Sequence, residues 1–325
     1  MTKDTNEEIN INNSNEQILF LEPVFKERIW GGSHLRDEFN YNIPSDNTGE
    51  CWGIAAHDNG SSIVKDGIYK GKTLKELFTE KPELFGNIDN DRFPLLVKVI
   101  YTKEDCSIQV HPDDEYAKAN ENGSLGKNEC WYILDCEENA EIVLGHNAKT
   151  REELKEMIEG SKWDSFISKV PIKKGDFIQI DSGTVHTITG GLMVLETQQN
   201  SDVTYRVYDY DRLQNGKPRE LHVKESIDVI TVPEKDKSEI IKNFSNTAEN
   251  EMVEMISNSH YTVWKLRVTD TMKVVQDKAF MNMSVVSGEG MVNNYPVKKG
   301  DHFLLPSKIA PVTLTGNMTI IASAI

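Results

Sequence analysis

The chain has 325 residues, and its 36 lysines and arginines against 52 aspartates and glutamates give a formal net charge of −16. This length allows about two domains, and the acidic balance argues against a sequence-independent nucleic-acid binder, which needs a basic surface. A small anionic substrate is still compatible with this charge, because carboxylates more than about 8 Å from a pocket are screened at physiological salt. No apolar run approaches the roughly 18 residues of a membrane span and no secretory signal is recognisable, so we expect a cytoplasmic protein without nucleic-acid or membrane partners.

The first 17 residues are polar, rich in asparagine and nearly free of large apolar side chains. Such a segment cannot bury enough surface to offset the entropy lost on ordering, so residues 1–17 are predicted to form a disordered tail. From Ile18 onward, short apolar or alternating runs follow one another between turn residues, a pattern that favours a mainly-β barrel or sandwich. The clearest predicted strands are 93–101, 107–110, 131–134, 141–144, 176–180, 192–198 and 203–208.

A few short helices are predicted to decorate this β core. Thr73 with Glu76, and Thr150 with Glu153, match the capping box, in which a hydroxyl and a carboxylate three residues later accept hydrogen bonds from free amides at a helix start. The predicted helices cover about residues 74–78, 113–120 and 151–158.

The chain contains a short internal sequence repeat, called the echo below. The hexapeptide Pro-Ile-Lys-Lys-Gly-Asp at 171–176 recurs as Pro-Val-Lys-Lys-Gly-Asp at 296–301, and each copy precedes a hydrophobic strand pattern. Lys-Gly-Asp is a common way to enter a strand, but six matched positions followed by the same pattern favour a duplicated β-barrel domain. The polar stretch 231–250 is predicted to separate a first domain over 18–235 from a second domain over 250–325.

Three segments of the first copy carry side chains that bind metals. Gln109 and His111 lie two residues apart at the end of a predicted strand, so alternation places them on one face. Glu129 comes just before an apolar strand, and His186 follows the first Lys-Lys-Gly-Asp turn. Two imidazoles, a carboxylate and an amide oxygen could surround one divalent cation and leave a coordination position open, which is typical of a catalytic site.

The other potential ligands give no comparable set. A single histidine is more often structural than a metal ligand, and we interpret six of them in that way: His34, His57, His146, His222, His260 and His302. The spacing of the echo places Pro311 opposite His186, and the segment 307–312 contains no histidine, so the second barrel is expected to be metal-free. The four cysteines form no Cys-x-x-Cys pair and are expected to be reduced thiols: Cys51, Cys106, Cys130 and Cys136.

Six ordered motifs resemble those of the type I mannose-6-phosphate isomerases, in the short bacterial form built from two cupin-type (jelly-roll) β-barrels. They are FKERIWGG at 25–32, GECWGIAAH at 49–57, QVHPDD at 109–114, KNE at 127–129, GTVH at 183–186 and TYRVYDYDR at 204–212. The resemblance runs from about residue 20 to residue 230 and, more loosely, through the second barrel. Longer members of this family often carry proline where this chain has Asn128.

The resemblance implies interconversion of mannose 6-phosphate and fructose 6-phosphate through an enediolate, whose negative charge a Lewis-acid metal would stabilise. It also implies an active-site arginine at Arg206 and a functional lysine at Lys127. The metal would be one zinc ion per chain, bound by Gln109, His111, Glu129 and His186.

The roles of the cations and the proton-transfer group are less defined by the sequence. Arg206 offers a planar fork suited to the substrate phosphate, although a surface ion pair with a nearby aspartate is the alternative. Lys98, inside an apolar run, either lines the pocket and binds substrate or faces outward. Lys127 and a metal-bound water could each move the proton, with Glu50 and His57 as further options.

Two other functions compete with isomerisation. A metal cupin could bind or sense sugar phosphates without turnover, although such a sensor need not keep Lys127 and Arg206. An iron or manganese cupin oxygenase typically uses His-x-His in the first motif, and here the first position is Gln109. We expect a monomer or a homodimer.

Overall fold

The computed structural model describes residues 17–236 and 240–325. Strands dominate both ranges and the helices are few and short, so the mainly-β prediction is confirmed. The predicted tail, residues 1–17, lies outside the described residues except for Gln17. No helix in either range is long and apolar enough to cross a membrane.

A seven-stranded antiparallel sheet forms the centre of the molecule. In spatial order its strands are Ile241–Asn243, Asp176–Ile180, Glu129–Asp135, Leu192–Gln199, Leu95–Thr102, Thr48–Ile54 and Val24–Gly32. Four of them match predicted strands to within two residues at each end. Side chains alternate between its two faces: Trp131 and Ile133 join one core cluster, and Cys130 and Tyr132 join another.

A five-stranded sheet packs against one face of the seven-stranded sheet. Its strands, in spatial order, are Ile167–Pro171, Glu141–His146, His186–Thr187, Ile108–Val110 and Tyr205–Tyr208. The core between the two sheets takes Trp131 and Val194 from one side and Ile142 and Leu144 from the other. The two sheets thus form a β-sandwich, with an apolar core between them.

A nine-stranded sheet contributes the second half of the molecule. Its main path runs through Met252–Ser257, Thr262–Val268, Val312–Ala324, Met281–Val292, His302–Leu305, Leu19–Glu22 and Ile63–Val64, with Thr271–Val274 and Tyr295–Lys298 paired at the side. Two strands from the front of the chain, Leu19–Glu22 and Ile63–Val64, thus complete this sheet. Two ribbons of two strands also occur: Ala56–His57 with Gly60–Ser61, and Leu213–Gln214 with Lys217–Pro218.

Short helices cover the outside of these sheets. The α-helices are His34–Phe39, Leu74–Glu80, Asp114–Asn120, Arg151–Glu159, Trp163–Phe166 and Val223–Val229, and 3-10 turns occur at Gly67–Tyr69 and Pro82–Phe85. Thr73 and Glu76 form the complete capping box that their spacing predicts. Thr150 accepts the amide of Glu153, but the Glu153 carboxylate binds the amide of Lys149 instead, so the second box is only half formed.

Apolar contacts divide the molecule into layers. Helix residues such as Leu154 and Phe166 pack on the outer face of the five-stranded sheet. The far face of the seven-stranded sheet packs against the nine-stranded sheet, where Val99 and Leu195 share a cluster with Leu304. The nine-stranded sheet also folds around a core of its own, which includes Phe303 and Leu314. All four cysteines are free thiols.

The echoed hexapeptides adopt the same turn. The carboxylate of Asp176 accepts the amide of Lys173 at 2.8 Å, and the carboxylate of Asp301 accepts the amide of Lys298 at 2.9 Å. The glycine before each aspartate has a positive φ, 85° and 95°, which explains why a glycine is needed in both copies. The duplicated sequence therefore encodes a duplicated local structure, while the predicted domain limits stay a prediction.

Candidate metal centre and active-site cavity

The five-stranded sheet aligns three of the predicted site residues in one row. His186 and Arg206 lie on strands that flank Gln109, and each is its direct cross-strand partner. Cross-strand partners present their side chains on the same face of a sheet, so all three side chains share one face. His111 follows two residues after Gln109 and joins the same face, as its alternation predicts.

Glu129 meets this row from the opposite sheet. It is the first residue of its strand and is fully buried. Its Oε2 lies 3.5 Å from His111 Nε2, and its Oε1 lies 3.3 Å from His186 Nε2. Gln109 Nε2 lies 3.2 Å from His186 Nε2. All four predicted ligands therefore converge on one place between the sheets.

The backbone holds both imidazoles with the same ring nitrogen facing the centre. His111 Nδ1 lies 2.8 Å from the Val203 carbonyl, and His186 Nδ1 lies 2.9 Å from the Thr184 carbonyl. A carbonyl can only accept, so each Nδ1 is the protonated nitrogen and each Nε2 keeps its lone pair toward Glu129. Burial lowers the pKa of both imidazoles, which stay neutral as metal ligands must.

The side chains present at this centre fit a cation. The ligand atoms of His111, Glu129 and His186 lie within 4.8 Å of one another. Glu129 Oε1 is buried and accepts a hydrogen bond from no described residue, which is a costly state for a carboxylate oxygen unless a cation is bound. Two imidazole nitrogens, a carboxylate oxygen and an amide suit a divalent metal of the zinc type.

A buried chain of alternating charges leads away from this centre. Lys127 Nζ lies 2.5 Å from Glu129 Oε2 and 3.1 Å from His111 Nε2. Glu196 lies 3.9 Å from Lys127 and 2.9 Å from Lys98, and it also accepts the indole N–H of Trp131 at 3.1 Å. Burial alone would lower the pKa of Lys127, but the carboxylates of Glu129 and Glu196 raise it, so the ammonium form is favoured.

The charges line a cavity of about 770 Å³ that opens to solvent. Gln109, Lys127, Lys98 and Glu196 form part of its wall, which decides between the two orientations that the sequence left open for Lys98. Further cations line the same cavity: Lys26, Arg28, Arg206 and Arg219. Carboxylates such as Glu50 and Asp202 also line this cavity, so its cations only slightly outnumber its acids. The cavity is large enough for a phosphorylated sugar.

Arg206 is held by the backbone rather than by a carboxylate. Its Nη1 donates to the Glu220 carbonyl at 2.7 Å, and its buried Nε has no hydrogen-bond partner among the described residues. The nearby Asp209 is instead bound by Arg212 and Arg219. The surface ion pair considered as the alternative is therefore not formed, and the guanidinium keeps free donors for an anion.

Comparisons with known proteins show which family the chain is similar to. A family model described as "Phosphomannose isomerase type I, catalytic domain" matches residues 18–158, and one described as "Mannose-6-phosphate isomerase, cupin domain" matches residues 251–325. The chain is 50% identical over 316 residues to mannose-6-phosphate isomerase ManA of Bacillus subtilis, covering 94% of this chain and 98% of that protein. It is 44% identical over 310 residues to the mannose-6-phosphate isomerase of Streptococcus mutans, covering 94% of this chain and 97% of that protein.

The chain belongs to the type I mannose-6-phosphate isomerases. The crystal structure of mannose 6-phosphate isomerase from Bacillus subtilis superposes with a TM-score of 0.90 at 48% identity, covering 95% of this chain and 99% of that chain. A mutant phosphomannose isomerase from Salmonella typhimurium shares the fold, with a TM-score of 0.77 at 14% identity over 95% of this chain and 99% of that one. The resemblance predicted from the motifs is confirmed.

Of the two other proton-transfer candidates from the sequence, Glu50 lines the cavity of this mannose-6-phosphate isomerase fold and His57 does not. Glu50 lines the cavity, where it is bound by Arg28 through two contacts of 2.8 and 3.1 Å and by the Trp52 indole at 2.6 Å. His57 does not line the cavity, and its Nε2 lies 3.6 Å from Asp202. Glu50 therefore faces the site but has its lone pairs occupied, and His57 packs outside it.

Several charged residues of the cavity were not predicted from the sequence, among them Glu196 and Arg219. Glu196 lies inside the strand Leu192–Gln199, after four apolar residues. An acid in one strand and a lysine in another could have predicted that Glu196 pairs with Lys98. Arg219 lies beyond a short ribbon and carries no local signal. Its guanidinium donates from Nε to Asp209 Oδ2 at 2.7 Å, a contact that no sequence pattern predicts.

Proposed function

We propose that this chain is an aldose–ketose isomerase that interconverts mannose 6-phosphate and fructose 6-phosphate, using one zinc ion per chain. The ligands would be Gln109, His111, Glu129 and His186. The observation that carries the proposal is the buried Glu129 carboxylate between two neutral imidazoles, in a chain half identical to a named mannose-6-phosphate isomerase. This set leaves room for substrate or water at the centre.

The difficult species of this reaction is an enediolate, formed when a proton leaves the carbon next to the carbonyl. Zinc bound at the four ligands would supply Lewis-acid stabilisation of its oxygen charge. Lys127 adds a second positive charge at the same end of the cavity, and its Nζ is the group of this chain best placed to hold or move the proton. Lys127 is buried and held by fixed charges, so its ammonium and the groups around it need to move little as charge develops on the substrate.

The phosphate would bind toward Arg206, whose guanidinium has free donors. Lys98 would also contact the substrate, with Glu196 holding its ammonium in place. Arg206, Lys98 and Lys127 line one cavity, so binding energy from the phosphate would help to orient the sugar at the metal centre.

We also propose a cytoplasmic protein, monomeric or homodimeric, without nucleic-acid or membrane partners. Its metal-binding domain would span residues 18–235 and its second domain residues 250–325. The strong negative net charge of the chain and the lysines and arginines confined to one cavity support a small anionic substrate rather than a polyanion.

Elemental analysis combined with a coupled assay for fructose 6-phosphate tests the function. We expect about one zinc per chain, turnover of mannose 6-phosphate, loss of turnover after chelation, and recovery on adding zinc. Bound metal without turnover would favour the sugar-phosphate sensor. Oxygen consumption with iron or manganese would favour the oxygenase.

A further inference from the structure

Asn128, between Lys127 and Glu129, is buried and all its side-chain polar atoms are engaged. Its Oδ1 accepts the amide of Ser182 at 3.1 Å, and its Nδ2 donates to Gln199 Oε1 at 2.9 Å. The remaining contact comes from the nine-stranded sheet, where His260 Nε2 lies 3.2 Å from Asn128 Nδ2. The short segment that carries both Lys127 and Glu129 is therefore touched by the second half of the molecule.

The partners decide the direction of this hydrogen bond. Asn128 Oδ1 already faces a backbone donor, so its Nδ2 must face His260, and His260 Nε2 must accept. Gln199 is oriented in the same way, because its Oε1 accepts the Asn128 amide at 2.9 Å while its Nε2 donates to Asp114 at 3.0 Å. The side-chain amides of Asn128 and Gln199 therefore each have only one assignment of oxygen and nitrogen that fits their hydrogen-bond partners.

The backbone of His260 is held by hydrogen bonds in the hairpin between Met252–Ser257 and Thr262–Val268. Asn258 Oδ1 accepts the amides of His260 and Tyr261 at 2.8 and 2.9 Å, which shapes the loop. Tyr261 is almost fully buried and donates its hydroxyl to Gln179 at 3.1 Å. The loop is thus anchored against the seven-stranded sheet immediately beside Asn128.

We propose that His260 is a positioning residue that fixes Glu129 and Lys127 through Asn128, and hence that the second, nine-stranded half of the molecule helps to shape the metal centre. The inference rests on the ligand role of Glu129 proposed above. Removing the imidazole would leave Asn128 Nδ2 without one of its two acceptors. The backbone beside Asn128 would then position the Glu129 carboxylate and the Lys127 ammonium less accurately. Partners outside the ligand shell tune metal affinity and activity in this way.

His260→Ala tests the inference in the full-length, zinc-loaded enzyme. We expect kcat at saturating mannose 6-phosphate to fall about 3- to 10-fold, the range that loss of one ordinary hydrogen bond produces, with KM nearly unchanged because Arg206 is untouched. In competition with a chelator, zinc affinity should weaken by a similar factor. Ser259→Ala, at the exposed neighbouring position, is the matched control and should leave both quantities unchanged.

Two further variants separate positioning from general packing. His260→Gln keeps an acceptor for Asn128 and should restore kcat and zinc affinity to within about 2-fold of the wild type. If His260 acts only through Asn128, then adding His260→Ala to Asn128→Ala should cause no further loss. Wild-type kcat and zinc affinity in His260→Ala, failed rescue by glutamine, or full additivity in the double variant would each overturn the inference. Should the wild type bind zinc without isomerising, the proposed function fails, and the affinity measurements still decide the role of His260.

Discussion

At the scale of single residues, each imidazole of the proposed metal centre has its orientation set by a backbone carbonyl. His111 and His186 are pinned through Nδ1 to the carbonyls of Val203 and Thr184, so neither ring can turn away from Glu129 without losing a buried hydrogen bond. The arrangement of the proposed ligands is consequently fixed by the protein's own hydrogen bonds. A preformed site of this kind loses affinity steeply when one ligand is removed.

We expect His111→Ala and His186→Ala each to lose bound zinc as well as activity. Because a ligand is removed rather than an outer partner, turnover should fall by more than about 100-fold, the upper range for outer partners. Elemental analysis after gel filtration measures the metal. His34→Ala, at an exposed position stacked on Tyr101, serves as the control and should keep its zinc. Full zinc occupancy in either ligand variant would refute the assignment.

Arg206→Ala is expected to keep zinc and thermal stability while losing kcat/KM by about 100- to 1,000-fold. The guanidinium is held by a backbone carbonyl and is directed to the cavity, so its removal affects an anionic substrate far more than the fold. Steady-state kinetics on mannose 6-phosphate measure the loss, with Arg206→Lys expected to retain an intermediate rate. Near wild-type turnover in Arg206→Ala would show that the residue does not contact substrate.

At this scale the sequence is most informative where the pattern is local. The clustering of Gln109, His111, Glu129 and His186 could be predicted because each lies at or near a strand end in an ordered motif, and their role as ligands stays a prediction. The orientation of Lys98 was not decidable, because alternation assigns faces only after the strand's partners are known. Its side chain faces the cavity because Glu196 is its cross-strand partner.

At the scale of elements, the pairing of Leu95–Thr102 with Leu192–Gln199 carries a buried ion pair between Lys98 and Glu196. Lys98 and Glu196 are opposite in register and 2.9 Å apart, with only 7% and 4% of their side chains exposed. Burying two charges is costly, and removing one of them leaves the other uncompensated. The sheet therefore tolerates loss of both charges better than loss of one.

Glu196→Leu should lower the free energy of unfolding of the metal-free protein by about 3–5 kcal/mol, since it leaves Lys98 buried without its carboxylate. The double variant Lys98→Met with Glu196→Leu should recover most of that loss, apart from the unpaired Trp131 indole. Urea unfolding of the two variants and of Lys98→Met measures the coupling. Strictly additive effects would mean that the two charges do not stabilise each other.

The elements themselves were largely predictable, and their partners were not. Strand limits followed from short apolar or alternating runs between turn residues, and two of the helix starts from their capping residues, so Asp176–Ile180 and Leu74–Glu80 were predicted closely. Leu19–Glu22 pairs with His302–Leu305, nearly at the other end of the chain. A pairing over such a distance depends on which apolar faces meet in the folded molecule, and no local pattern records it.

At the scale of the whole molecule, the two halves meet around a buried polar cluster centred on His302. Its Nδ1 lies 2.8 Å from the Ser284 hydroxyl and its Nε2 lies 2.9 Å from the Tyr41 hydroxyl, which donates in turn to the Gly300 carbonyl at 3.0 Å. The ring lies against Gly53, where any Cβ would overlap it. Strand Thr48–Ile54 can approach the second half this closely only because glycine occupies that position.

This cluster predicts a pH dependence of stability. Burial lowers the pKa of His302 to about 3, against an ordinary value of about 6.5, so the folded state holds the ring neutral while the unfolded state protonates it. The stability that the neutral His302 ring contributes to the folded state is therefore present above pH 6.5, and it is lost progressively as the pH falls from 6.5 toward 3. Neither Tyr41 nor Cys51, which surround the ring, titrates in this window, because burial raises the pKa of both groups.

From this residue alone we expect the free energy of unfolding to be about 1.4 kcal/mol lower at pH 5.5 than at pH 8.5. Comparing urea unfolding of the metal-free wild type with His302→Gln, which cannot titrate, isolates the effect from that of the carboxylates. The variant can be less stable at every pH, so the quantity that decides is the difference between the two pH slopes. Parallel slopes between pH 8.5 and 5.5 would mean that the imidazole is accessible to protons in the folded protein and that the two halves do not seal it from water.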